Sequence, residues 1–154
     1  MANVPANTIP QVVYKAYKVE VNGIPLPAQF WYLGSPYSKY KDGLEAAFRI
    51  VAENAALLIK NRINVHCPIC HTHPIAEYGK LDHRNHDLWL PADQPFIDHA
   101  KGLIILKMDG WDESVGLNFE IDEFHKSGRP VIFMNPGEIP VDLLFEEGRI
   151  CSIG

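Results

Sequence analysis

A carboxylate set about six residues behind a serine, at the start of a helix that follows an apolar strand, has the makings of a reactive site. Ser114 and Glu120 hold that relation in GWDESVGLNFEIDEFHKSGRPV, Gly110–Val131, directly after the apolar run Gly102–Met108. In an open α/β sheet the carboxyl ends of the strands and the amino ends of the following helices line the ligand crevice. Ser114 and Gly116 fall in the first turn of that helix, so the Ser114 hydroxyl and the unpaired helix N–H groups are available to an anion. Glu120, one to two turns further in, is expected to be withheld from bulk water beside the same ligand. A carboxylate there serves as nucleophile or general base.

The elements that must position these residues are read from periodicity. Val12–Val21 is β-rich, Asn22-Gly23 is a hairpin signal, and a second run passes Pro25 and Pro27 into Gln29–Leu33. This front piece, 1–28, is expected to add a strand or hairpin to the core sheet. Gly34–Asp42 suits a loop. Leu44, Phe48, Val51, Ala55, Leu58 and Ile59 recur at helical spacing through Gly43–Asn61. Ile63–Ile69 reads as a strand, His71–Leu88 as a long polar loop rich in histidine, and Pro91–Ala100 as a short helix. A buried strand Gly102–Met108, a helix Ser114–Lys126 ending near Gly128 and a strand Val131–Met134 complete the order. Alternating strands and helices imply a largely parallel sheet with right-handed crossovers.

The chain has 154 residues, 47% hydrophobic and 21% charged, which suits one globular α/β domain with a sizeable core. A net charge of −5 argues against a broad nucleic-acid or anionic-membrane footprint, because phosphate backbones attract basic surfaces. No apolar run reaches membrane-spanning length, and MANVPANTIPQ has neither a basic nor an apolar signal region. With three cysteines and no export signal, a reducing, cytoplasmic setting is expected.

Cys67-Pro68-Ile69-Cys70-His71 matches the CxxCH haem-attachment pattern, and Cys67, Cys70, His71 and His73 could be counted as four zinc ligands. Haem attachment needs export. Zinc is disfavoured because adjacent Cys70 and His71 converge poorly on one tetrahedral ion and no second CxxC follows. His71 and His73, at the exit of the second strand, are instead expected to line the crevice, where imidazole can bond a hydroxyl, phosphate or base. His83, His86, His99 and His125 read as ordinary polar surface or loop residues. Plainer roles exist for the others too. Glu120 could be a solvated neighbour of Asp122 and Glu123, Ser114 only an N-cap, Asp93 a cap for a helix beginning near Pro95, and Gly34-Ser35-Pro36 a simple turn.

Three motifs carry a resemblance: WYLGSPYS (Trp31–Ser38), the acidic Asp93 in LPADQPFIDHAKGLIIL, and SVGLNFE (Ser114–Glu120) followed by GRPVIF. Over roughly Gln29 to Phe133 the chain resembles the nucleoside 2-deoxyribosyltransferase superfamily. It is most similar within it to a small bacterial and phage family with YxGSPYS, HxHPI and GWxxSxGxxxE segments. The resemblance implies a three-layer Rossmann/flavodoxin-like fold for 29–154, a homodimer or larger assembly, and no metal or organic cofactor. It implies that Glu120 attacks the anomeric carbon, that Asp93 lies near the base, and that Tyr32 helps to place the nucleophile. Transferases acting on free nucleosides generally carry an aspartate where this chain has Ser114. Members that cleave nucleoside 5′-monophosphates resemble this chain there, and a serine with helix N–H groups accepts a phosphate that a carboxylate repels.

The expected function is therefore a nucleoside 5′-monophosphate N-glycosidase, with a nucleoside transferase or a non-catalytic nucleotide-binding module as alternatives. The phosphate would sit over the Ser114 helix start and the Gly34–Ser35 loop, with Glu120 as nucleophile and Asp93 protonating the leaving base.

Overall fold

A computed structural model describes residues 12–15, 18–26 and 28–146 of the chain. The elements are β1 (Val12–Lys15), β2 (Lys18–Val21), β3 (Ile24–Leu26), β4 (Trp31–Gly34), α1 (Leu44–Lys60), β5 (Val65–His66), α2 (Pro68–Gly79), α3 (His86–His99), β6 (Gly102–Leu106), α4 (Val115–Lys126), β7 (Val131–Met134) and α5 (Val141–Glu146). The chain divides into two compact units, one holding β1–β3 and the other spanning 30–149.

In the first unit, β1, β2 and β3 pair antiparallel in sequence order. Asn22 and Gly23 turn between β2 and β3 with φ of 52° and 78°, the positive values that a two-residue type I′ hairpin demands. These strands form a sheet of their own. The expectation that they would extend the core sheet is thus corrected, since the parallel sheet takes its pairing from β4–β7 alone.

The second unit is a parallel four-stranded sheet in the order β5-β4-β6-β7, flanked by helices in the manner of Rossmann and flavodoxin-like folds. Period-two alternation splits its side chains between two cores. Trp31, Leu33, Ile104, Leu106, Ile132 and Met134 pack with Val51, Ala55 and Leu58 of α1 and Leu143 of α5. Tyr32, Leu103 and Ile105 pack on the other face with Ile97 of α3 and Leu117 and Phe124 of α4. After β4 the chain goes outward to β5 and then returns to β6 on β4's other side. The sheet's topological switch therefore lies between β4 and β6, where ligands bind at the strands' carboxyl ends.

Two further expectations fail between 63 and 88. The strand expected over Ile63–Ile69 shrinks to Val65–His66, because Cys67 caps a helix: its Sγ accepts from the Cys70 N–H at 3.3 Å, and Pro68 takes the first helical position. The expected loop His71–Leu88 is mostly helix, α2 running to Gly79 and α3 starting at His86 rather than Pro91. Interior prolines (Pro74 in α2, Pro91 and Pro95 in α3) argue against helix in sequence. Ile97 alone is fully buried in α3, so no apolar stripe advertises it. Lys80, in the left-handed region at φ 55°, closes α2. The helix expected over Ser114–Lys126 and the strand Val131–Met134 form as read. No helix among the described residues is long and apolar enough to cross a membrane.

Candidate active site

Tyr32 and Glu120 meet at the switch point. Tyr32 is carried into the α3/α4 side of the core by its position in β4 and is buried; its hydroxyl donates to Glu120 Oε1 at 3.1 Å. Desolvation, then the charge of Glu120, holds the Tyr32 phenol far above its ordinary range, so it remains a hydrogen-bond donor at any working pH. Glu120 Oε2 is sealed from water and has no partner. Burial pushes the Glu120 carboxyl up to about 8, the Tyr32 bond pulls it back, and the charge of Asp93 adds to the rise. Gly34, the last residue of β4, makes this placement possible. A Cβ there would stand 2.7 Å from Glu120 Oε2 and 2.8 Å from Leu117 Cδ2, so only glycine leaves the carboxylate its room.

Asp93 reaches the same region from α3. It is half-buried, its Oδ1 is sealed and unpaired, and desolvation raises it to about 6 against an opposing pull from His71. The charge on Asp93, the group that ionises first, is part of what Glu120 then has to overcome. Arg129 fixes the end of this helix: Nη1 donates to the carbonyls of Ile97 and Ala100 while the guanidinium lies 4.0 Å over the Phe124 ring of α4.

His66 belongs to this constellation and is not among the residues singled out in sequence. It pairs with Tyr32 in the parallel register of β4 and β5, at the carboxyl end of β5. Its ring stacks on Phe96 of α3 at 3.6 Å and 4°, its Nε2 is buried without a partner, and burial lowers it to about 4, so it is neutral at pH 7. His71, exposed on α2, has its ring 5.9 Å from His66 and 6.1 Å from Phe96. Register with Tyr32 was the available signal for His66, hidden because Val65-His66 looked like the middle of a longer strand.

Ser35 follows Gly34, is 9% exposed, and its Oγ also lacks a partner. Ser114 is the N-cap of α4, its Oγ accepting from the Leu117 N–H at 3.4 Å. The cap role read for Ser114 therefore holds, and it leaves the hydroxyl proton free to donate. Gly116 is exposed in the first turn with open space where a side chain would stand. Among the described residues the buried side-chain atoms without partners are Ser35 Oγ, His66 Nε2, Asp93 Oδ1 and Glu120 Oε2. Buried polar groups are nearly always paired, and leaving one unpaired costs about 1–3 kcal/mol. The Tyr32 contact with Glu120, the Gly34 contact, the His66–Phe96 stack and the Asp93 charge tie three of these atoms to one place. That pattern suits a site awaiting a polar ligand.

His73 does not join His71, contrary to expectation. On a helix, residues two apart point about 200° away from each other. His73 is buried toward α1, stacked on Phe48 at 4.4 Å, bonded through Nδ1 to the Tyr37 hydroxyl (2.7 Å) and through Nε2 to Glu45 (3.1 Å). His83, read as an ordinary polar residue, is half-buried and bonds the same hydroxyl at 2.8 Å. Of the four residues counted for zinc, Cys67 and Cys70 lie together at the start of α2, while His71 is exposed and His73 turns toward α1. Among the described residues no three His, Cys, Asp or Glu side chains are grouped to hold a metal ion.

A groove of about 580 Å³ lies on the opposite face, between α1 and the chain after β6 and β7, lined by Asn54, Lys107 and Asp109 among others. It lacks Glu120, and its buried polar residue, Asn54, already accepts from the Gly137 N–H at 2.8 Å. The unsatisfied groups, not this groove, mark the site. Fold and site together define a doubly wound α/β domain with a buried, partly unpaired carboxylate pair at its switch point. The chain belongs to the family described as Domain of unknown function (DUF1937), which matches residues 29–136. No curated protein matches the sequence.

Proposed function

We propose that the protein cleaves the N-glycosidic bond of nucleoside 5′-monophosphates, with Glu120 as the nucleophile. The observation that carries this reading is the Glu120 carboxylate itself: one oxygen oriented by Tyr32 and the other buried, unpaired and given space by Gly34. A structural glutamate gains nothing from that arrangement, whereas a nucleophile needs a free, oriented oxygen. Because Oε2 is sealed, the sugar reaches it only after a neighbouring side chain moves.

Glu120 Oε2 bonds to C1′ as the C1′–N bond breaks, and the departing base takes a proton from Asp93. Water then adds to C1′, giving its proton to Asp93 and releasing Glu120, which restores both groups. With Asp93 at about 6 and Glu120 at about 8, the pair carries one proton near neutrality, and the reacting form is its minor tautomer, with that proton on Asp93 and the charge on Glu120. The neutral His66–Phe96 pair offers a flat surface and one ring nitrogen to the base, and Ser35 and Ser114 offer hydroxyls to the sugar phosphate. We assign the activity to the cytoplasm, where the free thiols of Cys67 and Cys70 stay reduced.

The test is chromatographic detection of free base from a panel of ribo- and deoxyribonucleoside 5′-monophosphates and their nucleosides. Base release from at least one monophosphate, faster than from its nucleoside, is expected. Release from none refutes the proposal.

A further inference from the structure

Tyr37 is held from two sides. Its hydroxyl lies 2.7 Å from His73 Nδ1 and 2.8 Å from His83 Nδ1. Behind each imidazole stands a carboxylate, Glu45 Oε2 at 3.1 Å from His73 Nε2 and Glu77 Oε2 at 3.3 Å from His83 Nε2. This line of contacts joins the loop 35–43 to α1 through Glu45, to α2 through His73 and Glu77, and to the α2–α3 connection through His83. Tyr37 also stands two residues from Ser35, whose buried hydroxyl has no partner.

We propose that Tyr37, His73 and His83 are positioning residues that form a one-proton clamp on the loop carrying Ser35. Four contacts in a row need four protons, one in each gap. A phenol, two neutral imidazoles and two carboxylates bring three. With three, one gap sets lone pair against lone pair. A fourth proton on either imidazole makes every contact attractive and leaves the resulting cation beside a glutamate. Tyr37 does not exchange that proton, because burial pushes its phenol up to about 12.

The charged groups facing the clamp are Glu45 of α1, shared with Arg49 at 2.8 Å, Glu77 of α2, and Asp82 and Arg84 of the connection. Arg84 Nε donates to the Ser38 carbonyl at 3.1 Å, a tie on the same loop that does not titrate. The clamp is complete when either histidine carries the fourth proton and loosens when that proton is lost. Its bearing on catalysis rests on the reading of Ser35 as a substrate ligand. The clamp itself does not.

The experiment is a pH titration of the full chain without ligand, following imidazole and backbone nitrogen resonances by NMR. In the wild type, His73 and His83 should share one added proton, and the Ser35 amide should shift with the same midpoint. In Tyr37→Phe, which keeps the ring and removes the bridge, the imidazoles should titrate independently and the Ser35 response should be lost. A Ser35 amide that stays flat while either histidine titrates overturns the proposal, as does wild-type behaviour in Tyr37→Phe. If that variant does not fold, His83→Gln replaces it: loss of the Ser35 response is expected, and an unchanged response overturns the clamp. No substrate enters these measurements, so their failure leaves the Glu120 reading standing, and absence of base release leaves the clamp standing.

Discussion

Replacing Glu120 by glutamine should stabilise the protein, and only at high pH. Burial moves the Glu120 carboxyl from its ordinary 4.5 to about 8. The folded chain therefore holds a proton across that window which the unfolded chain has already released. Stability falls as pH rises from about 4.5 to about 8 and then levels, because folding binds protons there. At about 1.4 kcal/mol per tenfold change in acidity, the gap amounts to something on the order of 4–5 kcal/mol. Glutamine accepts the Tyr32 hydrogen bond, fits the space beside Gly34 and does not titrate. Near pH ~5 the two proteins should be nearly equal, since each leaves one neutral polar group unpaired. By pH ~9 Glu120→Gln should melt higher by roughly 10 °C, taking about 2–4 °C per kcal/mol for a chain of this size. Titrations other than that of Asp93, which is coupled to Glu120, cancel in the difference. Thermal unfolding followed by circular dichroism at both pH values measures it. Parallel curves, or a Glu120→Gln protein that is the less stable at high pH, would show a solvated carboxylate and refute the argument.

Three other outcomes follow from the same geometry. With Asp93 held at about 6 and Glu120 at about 8, kcat/KM for base release should be bell-shaped, falling below the first value as the pair gains its second proton and above the second as it loses its last; a flat profile between ~5 and ~9 would detach the pair from turnover. Gly34→Ala drives a Cβ to 2.7 Å from Glu120 Oε2 and 2.8 Å from Leu117, so a stability loss of about 1–3 kcal/mol in urea titration and ~100-fold slower base release are expected. Wild-type rates in that variant would mean that the carboxylate is not held where the structure shows it. Ser114→Asp keeps the cap of α4 but sets a negative charge at its start, and activity on the 5′-monophosphate should drop at least ~10-fold more than on the nucleoside; an equal loss on both would remove the phosphate from that helix.

The sheet and its functional edge were legible because they depend on strong, local patterns. Gly102–Leu106 and Val131–Met134 are short apolar runs, and Ser114 to Glu120 follows one of them at once. The meeting of Tyr32 with Glu120 was suggested by the resemblance and not by periodicity, and the strand order that permits it was not read from the sequence. The segment 63–99 was illegible for identifiable reasons. Pro74, Pro91 and Pro95 stand inside helices, and α3 buries too little to show a stripe. That single misreading sent His73 to the wrong cluster, since a loop lets residues 71 and 73 face one crevice whereas a helix turns them to opposing sides. It also concealed His66, whose place beside Tyr32 depends on the strand ending there. The Tyr37 clamp joins residues up to 46 positions apart, and no local pattern announces such a contact.

The central claim, that Glu120 forms a bond to the sugar, is tested most directly by trapping it. A 2-fluoro-sugar nucleoside 5′-monophosphate, whose glycosyl ester hydrolyses slowly, should release about one equivalent of base per site. The protein's mass should rise by one sugar phosphate, located by peptide mapping to the segment containing Glu120 and absent from Glu120→Gln. Base release without such an adduct, or an adduct on any other residue, would contradict the account.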